Sequence, residues 1–131
     1  MSSALAQVVT AVEYYNKVAD VFFLTARATE QAVLDAIPDF QRTGMTFAAT
    51  AGNSNNAKSS ICRFYISLAE PYTSSHYYGL QTPDCDQIQQ INPAGFSYEG
   101  IDFAVGQPVT GACGGTTPVP VYRSFRATAP R

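Results

Sequence analysis

Short stretches in which apolar and polar residues alternate are interrupted twice by stretches of helical spacing, and this pattern sets the expected elements. Val8 to Tyr15 is rich in β-branched and aromatic residues and predicts a strand. Asn16-Lys17 begins a turn, and Val21 to Thr25 is a short, fully apolar strand. Thr29 to Ala36 places Ala32, Val33 and Ala36 at helical spacing before Pro38 ends the helix. Thr43-Gly44 then breaks the chain ahead of a strand from Met45 to Ala49. The order recurs further along: strands over Ser60 to Ser67 and His76 to Leu80, a helix opened by Thr82-Pro83-Asp84 and running to about Gln90, and a strand from Phe96 to Val105. Thr82 is the expected N-cap, Pro83 the first helical residue and Asp84 an acid in the first turn. A Pro/Gly/Thr loop, Gly106 to Thr116, leads to a last strand, Val119 to Phe125, and the tail from Ala127 is expected to fray.

The two halves share more than element order. Glu13-Tyr14-Tyr15, Val21-Phe22-Phe23 and Phe40-Gln41-Arg42-Thr43-Gly44-Met45-Thr46-Phe47 return as Arg63-Phe64-Tyr65, His76-Tyr77-Tyr78 and Phe96-Ser97-Tyr98-Glu99-Gly100-Ile101-Asp102-Phe103, and Val121-Tyr122-Arg123-Ser124-Phe125 begins a third copy that stops. A repeat of this size implies a supersecondary unit that buries its apolar face against its neighbour. The expected architecture is therefore an α+β, strand-dominated single domain over 1–131. It comprises a first pseudo-repeat at about 8–49, a linker at 50–60, a second pseudo-repeat at about 61–105 and a partial third unit at 117–126. Antiparallel sheet would form its core, short helices would cover it, and the last strand would close it. The alternative is a trefoil-like or propeller-like closed β arrangement. The linker, built from Ala, Gly, Asn, Ser and Lys, is expected to be an exposed, mobile loop.

Composition narrows the function classes. Charged residues are 14% of the 131, and the net charge is −2. The average soluble domain carries about 25% charge, so surface polarity here must come from Ser, Thr, Asn, Gln and Gly, a mix common in secreted proteins. No basic block provides the positive footprint that nucleic-acid binding requires. Neither an apolar run long enough to span a bilayer nor a basic amphipathic helix is present, so no membrane insertion is expected. Ser3-Ala4-Leu5-Ala6-Gln7 resembles the small-residue end of a signal peptide with a cut after Ala6, though a charged region and an apolar region before it are missing; an ordinary terminus is the other reading.

Three cysteines and one histidine are a poor set for zinc, and neither a metal nor a cofactor is expected. One disulfide and one free thiol fit the odd count. Cys113 lies in a Gly-rich loop that a bridge would restrain, and Cys85 sits at a helix start, so Cys85–Cys113 is the expected pair; Cys62–Cys85 and Cys62–Cys113 are the alternatives.

Arg63-Phe64-Tyr65, Ser75-His76-Tyr77-Tyr78, Phe96-Ser97-Tyr98-Glu99-Gly100-Ile101-Asp102-Phe103 and Pro120-Val121-Tyr122-Arg123 together resemble a repeat family catalogued as a domain of unknown function, family 5648. Its members read roughly Tyr-Arg-Phe-Tyr, His-Phe-Tyr-Thr, an acidic helix start and Trp-x-Tyr-Glu-Gly-x-x-Phe. The resemblance covers about residues 8 to 125. It implies a secreted module of the kind found in bacteria and fungi beside hydrolases or cell-wall-associated regions, with an ancillary binding role. This chain departs from the pattern at Val21, where the family has His, at Arg42-Thr43 in place of Tyr-Glu, at Phe40 and Phe96 in place of Trp, and at Gly79 in place of Thr. A site made from His and Glu would thus exist once, in the second unit.

The candidate ligand-binding residues are His76, Tyr78, Glu99, Tyr98 and Arg63. His76 reads either as a ligand or proton-transfer group beside Glu99 or as a side chain that locks the unit together. No Gly-x-Ser-x-Gly elbow accompanies it. Glu99 and Asp102 are the one tempting carboxylate pair, but three residues apart in a regular strand they would face opposite sides. Cys85 at a helix start could be reactive; a disulfide is the simpler reading. In Tyr14-Tyr15, Phe64-Tyr65 and Tyr77-Tyr78, alternation buries one ring and turns its neighbour toward solvent or a groove. An exposed Tyr beside Arg, Glu and Asn suits sugar stacking or peptide binding, whereas a half-buried Tyr with its hydroxyl at the rim is the structural reading. Arg63 and Arg123 occupy matching positions with Glu13 in the first unit, which suggests pairing across the core.

The expectation is a secreted, extracellular or cell-surface, non-catalytic binding module whose partner is a glycan or cell-surface polymer. Self-association as a structural or assembly subunit is the second reading, and a small hydrolase centred on His76 the third.

Overall fold

The structure, a computed structural model, describes residues 7–52, 59–115 and 119–123. The elements run β1 (Val8–Asn16), β2 (Val21–Thr25), α1 (Ala28–Asp35), β3 (Phe40–Thr50), β4 (Ser59–Ile66), β5 (Ser75–Leu80), α2 (Asp86–Ile91) and β6 (Phe96–Val105). Strand, strand, helix, strand therefore occurs twice. All six strands join one antiparallel sheet in the order β2-β1-β3-β6-β4-β5. The sheet curls into a half-barrel, so neither a trefoil nor a propeller forms among the described residues.

Local chemistry explains the boundaries. Asn16 Oδ1 accepts from the backbone N–H groups of Val18 (3.1 Å) and Ala19 (3.0 Å), which folds the turn between β1 and β2. A wide helical turn over Gln81–Cys85 leads into α2; within it Thr82 is extended (φ −121°, ψ 122°) immediately before Pro83 and donates to Asp86 Oδ2 at 2.6 Å. α2 ends at Asn92 in the left-handed region (φ 51°).

Two expectations about strands are corrected. β3 starts at Phe40, not Met45. Gly44, at φ +92°, does not break the strand; it lies in a register shift, where Val12 to Tyr14 of β1 faces Thr46 to Arg42 of β3. The closing strand is absent from the described part of its span: residues 119–123 form no strand, and Tyr122 is 84% exposed. The strand propensity of Val119 to Val121 is not used: this segment pairs with neither edge strand, β2 or β5. The remainder of that segment, the core of the 50–60 linker and the Ser3 to Ala6 stretch lie outside the described residues.

Three apolar clusters hold the sheet. Ala11, Ala26 and Phe103 gather Val9, Leu24, Phe47, Ala49, Ile61 and Val105 from five strands. Val12, Tyr14 and Phe23 pack against Leu34 of α1. Cys62, Phe64 and Cys85 pack with Tyr77, Ile88 and Phe96 beneath α2. In the third cluster Cys62 and Cys85 are joined by a disulfide, and Cys113 is free and exposed. The Cys85–Cys113 expectation is therefore wrong. The Cys62 side chain lies on the same face of β4 as Phe64, the face that α2 covers, which brings it to Cys85 at the helix start.

Along β4 the other face carries Ile61, Arg63 and Tyr65. Cross-strand pairing sets Tyr78 opposite Arg63 and His76 opposite Tyr65, so four of these residues share that face. The curl brings β5 toward β2, the opposite edge of the sheet. There the Tyr78 hydroxyl accepts from Leu24 N–H at 2.9 Å and donates to the Leu24 carbonyl. One phenol thus supplies both bonds that a neighbouring strand would have given Leu24.

Candidate functional site

Arg63 is 2% exposed, and a guanidinium is buried at this depth only when its donors are used. Its Nη1 and Nη2 grip Glu30 of α1 as a fork at 2.7 and 2.9 Å. Its Nε donates to Glu99 Oε1 at 2.8 Å, and Nη1 also reaches Asp102 Oδ2 at 3.5 Å. The guanidinium lies over the Phe23 ring, 4.9 Å from its centroid. Burial opposes its charge, but Glu30, then Tyr78 and Glu99, outweigh it and raise its pKa.

Glu99 and Asp102 meet on one cation because β6 is not regular. Phe64 pairs with Tyr98, Cys62 with Ile101 and Ile61 with Phe103, so β6 carries extra residues against β4 in both intervals. Gly100 takes φ +87° inside the first of them. A bulge between the two carboxylates reverses the alternation and turns both to the same side, against the expectation of opposite faces. Asp102, whose side chain is fully buried, also accepts from Ala26 N–H at 3.0 Å. Burial raises its pKa, opposed by Ala26, Arg63 and Arg27. For Glu30 burial pulls upward, but bonds from Arg63 and Thr25 prevail and hold it below the usual carboxylate range. Arg27 donates to the Glu99 carbonyl at 2.6 Å and sits 3.9 Å from Asp102.

His76 completes the cluster. Its Nε2 lies 3.1 Å from Glu99 Oε1. Its ring packs between Phe23 (4.6 Å between centroids) and Tyr65 (5.3 Å). Burial lowers its pKa, with Glu99 pulling the other way. The neutral ring then donates from Nε2 and leaves Nδ1 as an acceptor.

Four of the five candidates thus converge: Arg63, Glu99 and His76 in the charge cluster, with Tyr78 beside them. Burial raises the Tyr78 pKa, and its hydroxyl is committed to Leu24. Tyr98 does not join; its hydroxyl donates to Gln81 Oε1 at 2.6 Å and its ring packs edge-on against Phe64 on the far side of β6. Glu13 does not pair with Arg63 either, since it accepts from Thr43 at 2.8 Å. Arg123 instead stacks on Tyr77 at 4.9 Å and donates to the Tyr77 hydroxyl and the Tyr78 carbonyl, both at 2.8 Å.

Beside this cluster, where β2 and α1 face β5, lies an open cavity of about 480 Å³. Phe23, Glu30, Tyr65 and His76 line it together with the Leu68–Ser74 loop, which contributes Glu70, Tyr72 and Thr73. Tyr65 is 37% and Tyr72 50% exposed. Sequence reasoning missed Glu30 and Glu70 altogether. An acid in the first turn of a helix reads as a dipole partner, and only the curl of the sheet carries Glu30 to Arg63. Among the described residues, no group of three or more His, Cys, Asp or Glu is placed to hold a metal ion. No helix there is long and apolar enough to cross a membrane.

The family described as Domain of unknown function (DUF5648) matches residues 10–130, and the chain belongs to it. No curated protein and no solved structure matches the chain.

Proposed function

We propose that this domain is a secreted, non-catalytic module that binds carbohydrate, in isolation or as part of a cell-surface polymer, in the cavity between β2 and β5. The observation that carries the reading is the lining of that cavity. Partly exposed Tyr65 and Tyr72 offer flat apolar faces, while Glu30, Glu70 and His76 offer acceptors around them. Its volume falls within the range of about 300–1,000 Å³ usual for small-molecule sites. A sugar ring, apolar on its faces and hydroxylated at its edge, matches that division. The non-catalytic reading is supported by the commitment of Glu99 and Asp102 to Arg63, which leaves neither poised as a free acid or base. Secretion is supported by the buried disulfide, since such bonds persist in oxidising compartments. We also read the two halves as copies of one unit, supported by their shared element order and by glycines of positive φ at the matching positions 44 and 100.

The test is a glycan and polysaccharide binding screen on the purified domain, with Tyr72→Ala and His76→Ala beside it. Saturable binding that both changes weaken, with Tyr72→Ala melting like the parent, is the expected result. Absence of binding to every sugar, with mass rising with concentration, would replace this reading by the assembly-subunit one.

A further inference from the structure

We propose, resting on the carbohydrate reading, that the ligand is a glycan bearing free ammonium groups, a polymer of hexosamine without N-acetylation, and that Glu70 is the charge partner of one such group. The cavity wall is built from acceptors. Glu30 and Glu70 line it, and among the described residues neither Lys nor Arg does. The cluster behind Glu30 does not cancel this charge: Arg27 and Arg63 face the three carboxylates of Glu30, Glu99 and Asp102, with one negative charge in surplus. Glu70 makes no ion pair among the described residues.

One further group awaits a donor. His76 spends its Nε2 proton on Glu99 and keeps Nδ1 as an acceptor. An ammonium brings three donors and no acceptor, the complement of this wall. The faces of Tyr65 and Tyr72 carry the negative side of the ring quadrupole and favour a cation as well as a sugar face. An N-acetyl group removes both the charge and two of the donors, and a uronic acid would set its carboxylate against Glu30 and Glu70.

The experiment is isothermal titration of three oligosaccharides of equal length, the glucosamine, N-acetylglucosamine and glucose oligomers, into wild type, Glu70→Gln and Tyr72→Ala. The glucosamine oligomer is expected to bind about tenfold or more tighter than either comparator, equivalent to about 1.4 kcal/mol. Glu70→Gln should erase that preference without altering the melting point, because Glu70 is exposed. Tyr72→Ala should weaken all three. Equal affinity for the charged and acetylated oligomers, or a preference untouched by Glu70→Gln, overturns the ammonium assignment and leaves the carbohydrate reading standing. Glucosamine binding that survives both substitutions is general attraction to a chain of net charge −2 and also overturns the assignment. Binding of none of the three overturns the ammonium assignment, while the carbohydrate reading falls only if the full glycan screen is also negative.

Discussion

Replacing Arg63 by Met keeps much of the side chain's length and removes its charge. Four hydrogen bonds vanish, and Glu30, Glu99 and Asp102 are left facing one another without their shared cation. Asp102 has no exposed side-chain surface and cannot turn to water. Removing one partner of a buried ion pair costs about 3–5 kcal/mol. For a domain of this size each kcal/mol lowers Tm by about 3–5 °C, so a drop of about 9–25 °C is expected at pH 7. The deficit should depend on pH in a defined direction. Without Arg63, burial and the facing carboxylates raise the folded-state pKa of Asp102 further above its unfolded value. The folded chain then binds more protons than the unfolded one, so acidification toward pH 4.5 restores part of the lost stability. Circular dichroism melts of wild type and Arg63→Met at pH 7 and pH 4.5 read both effects. Arg42→Met is the control: Arg42 makes an equally short pair with Asp35, but both side chains are about half exposed, and its melting point should stay close to wild type. An Arg63→Met protein that melts within 2 or so degrees of the parent, or whose deficit deepens in acid, would refute the reasoning.

Tyr78→Phe strips Leu24 of both hydrogen-bond partners across the seam and should cost about 1–3 kcal/mol, with faster amide exchange at Leu24 in NMR as the local signature. Burial lowers the His76 pKa from 6.5, so the unfolded chain binds a proton that the folded chain refuses. Stability to urea should therefore fall as pH drops from 7.5 through 6.5 toward the folded value, and His76→Asn should remove that part of the slope. Without reduction, one thiol per folded chain, Cys113, should react with a maleimide, while Cys62→Ala/Cys85→Ala should lose about 3 kcal/mol in denaturant melts for the opened separation of 23 residues. Gly100→Ala meets no atom closer than Arg27 Nη2 at 3.7 Å, so its expected cost of about 1–2 kcal/mol is conformational and should appear as a lower Tm.

Much of the fold was legible because its determinants are local. Val21 to Thr25 and Phe96 to Val105 are bounded as the residue pattern predicts, and the Asn92-Pro93 pair stops α2 where expected. β3 was cut short because a glycine inside a strand looks the same in sequence whether it ends the strand or bulges it. The bulge at Gly100 hid the meeting of Glu99 and Asp102 for the same reason. The disulfide was misassigned because the Gly-rich setting of Cys113 says what a bridge would do there, not where the chain passes. Arg63, His76 and Glu99 were found through the repeated motif, whereas Glu30 and the Glu70–Thr73 stretch join them only through the curl of the sheet, a long-range property that no window of residues reports.

The chain has one histidine, and it lines the cavity, so its imidazole resonances are an unambiguous occupancy probe. The most direct measurement is NMR of those resonances in wild type and Tyr72→Ala during titration with the tightest-binding oligosaccharide of the screen. A saturable shift of the His76 ring signals that tracks the binding isotherm and is lost with Tyr72→Ala is the predicted result. Binding that saturates while the His76 signals stay fixed would place the ligand elsewhere and contradict the assignment of this cavity.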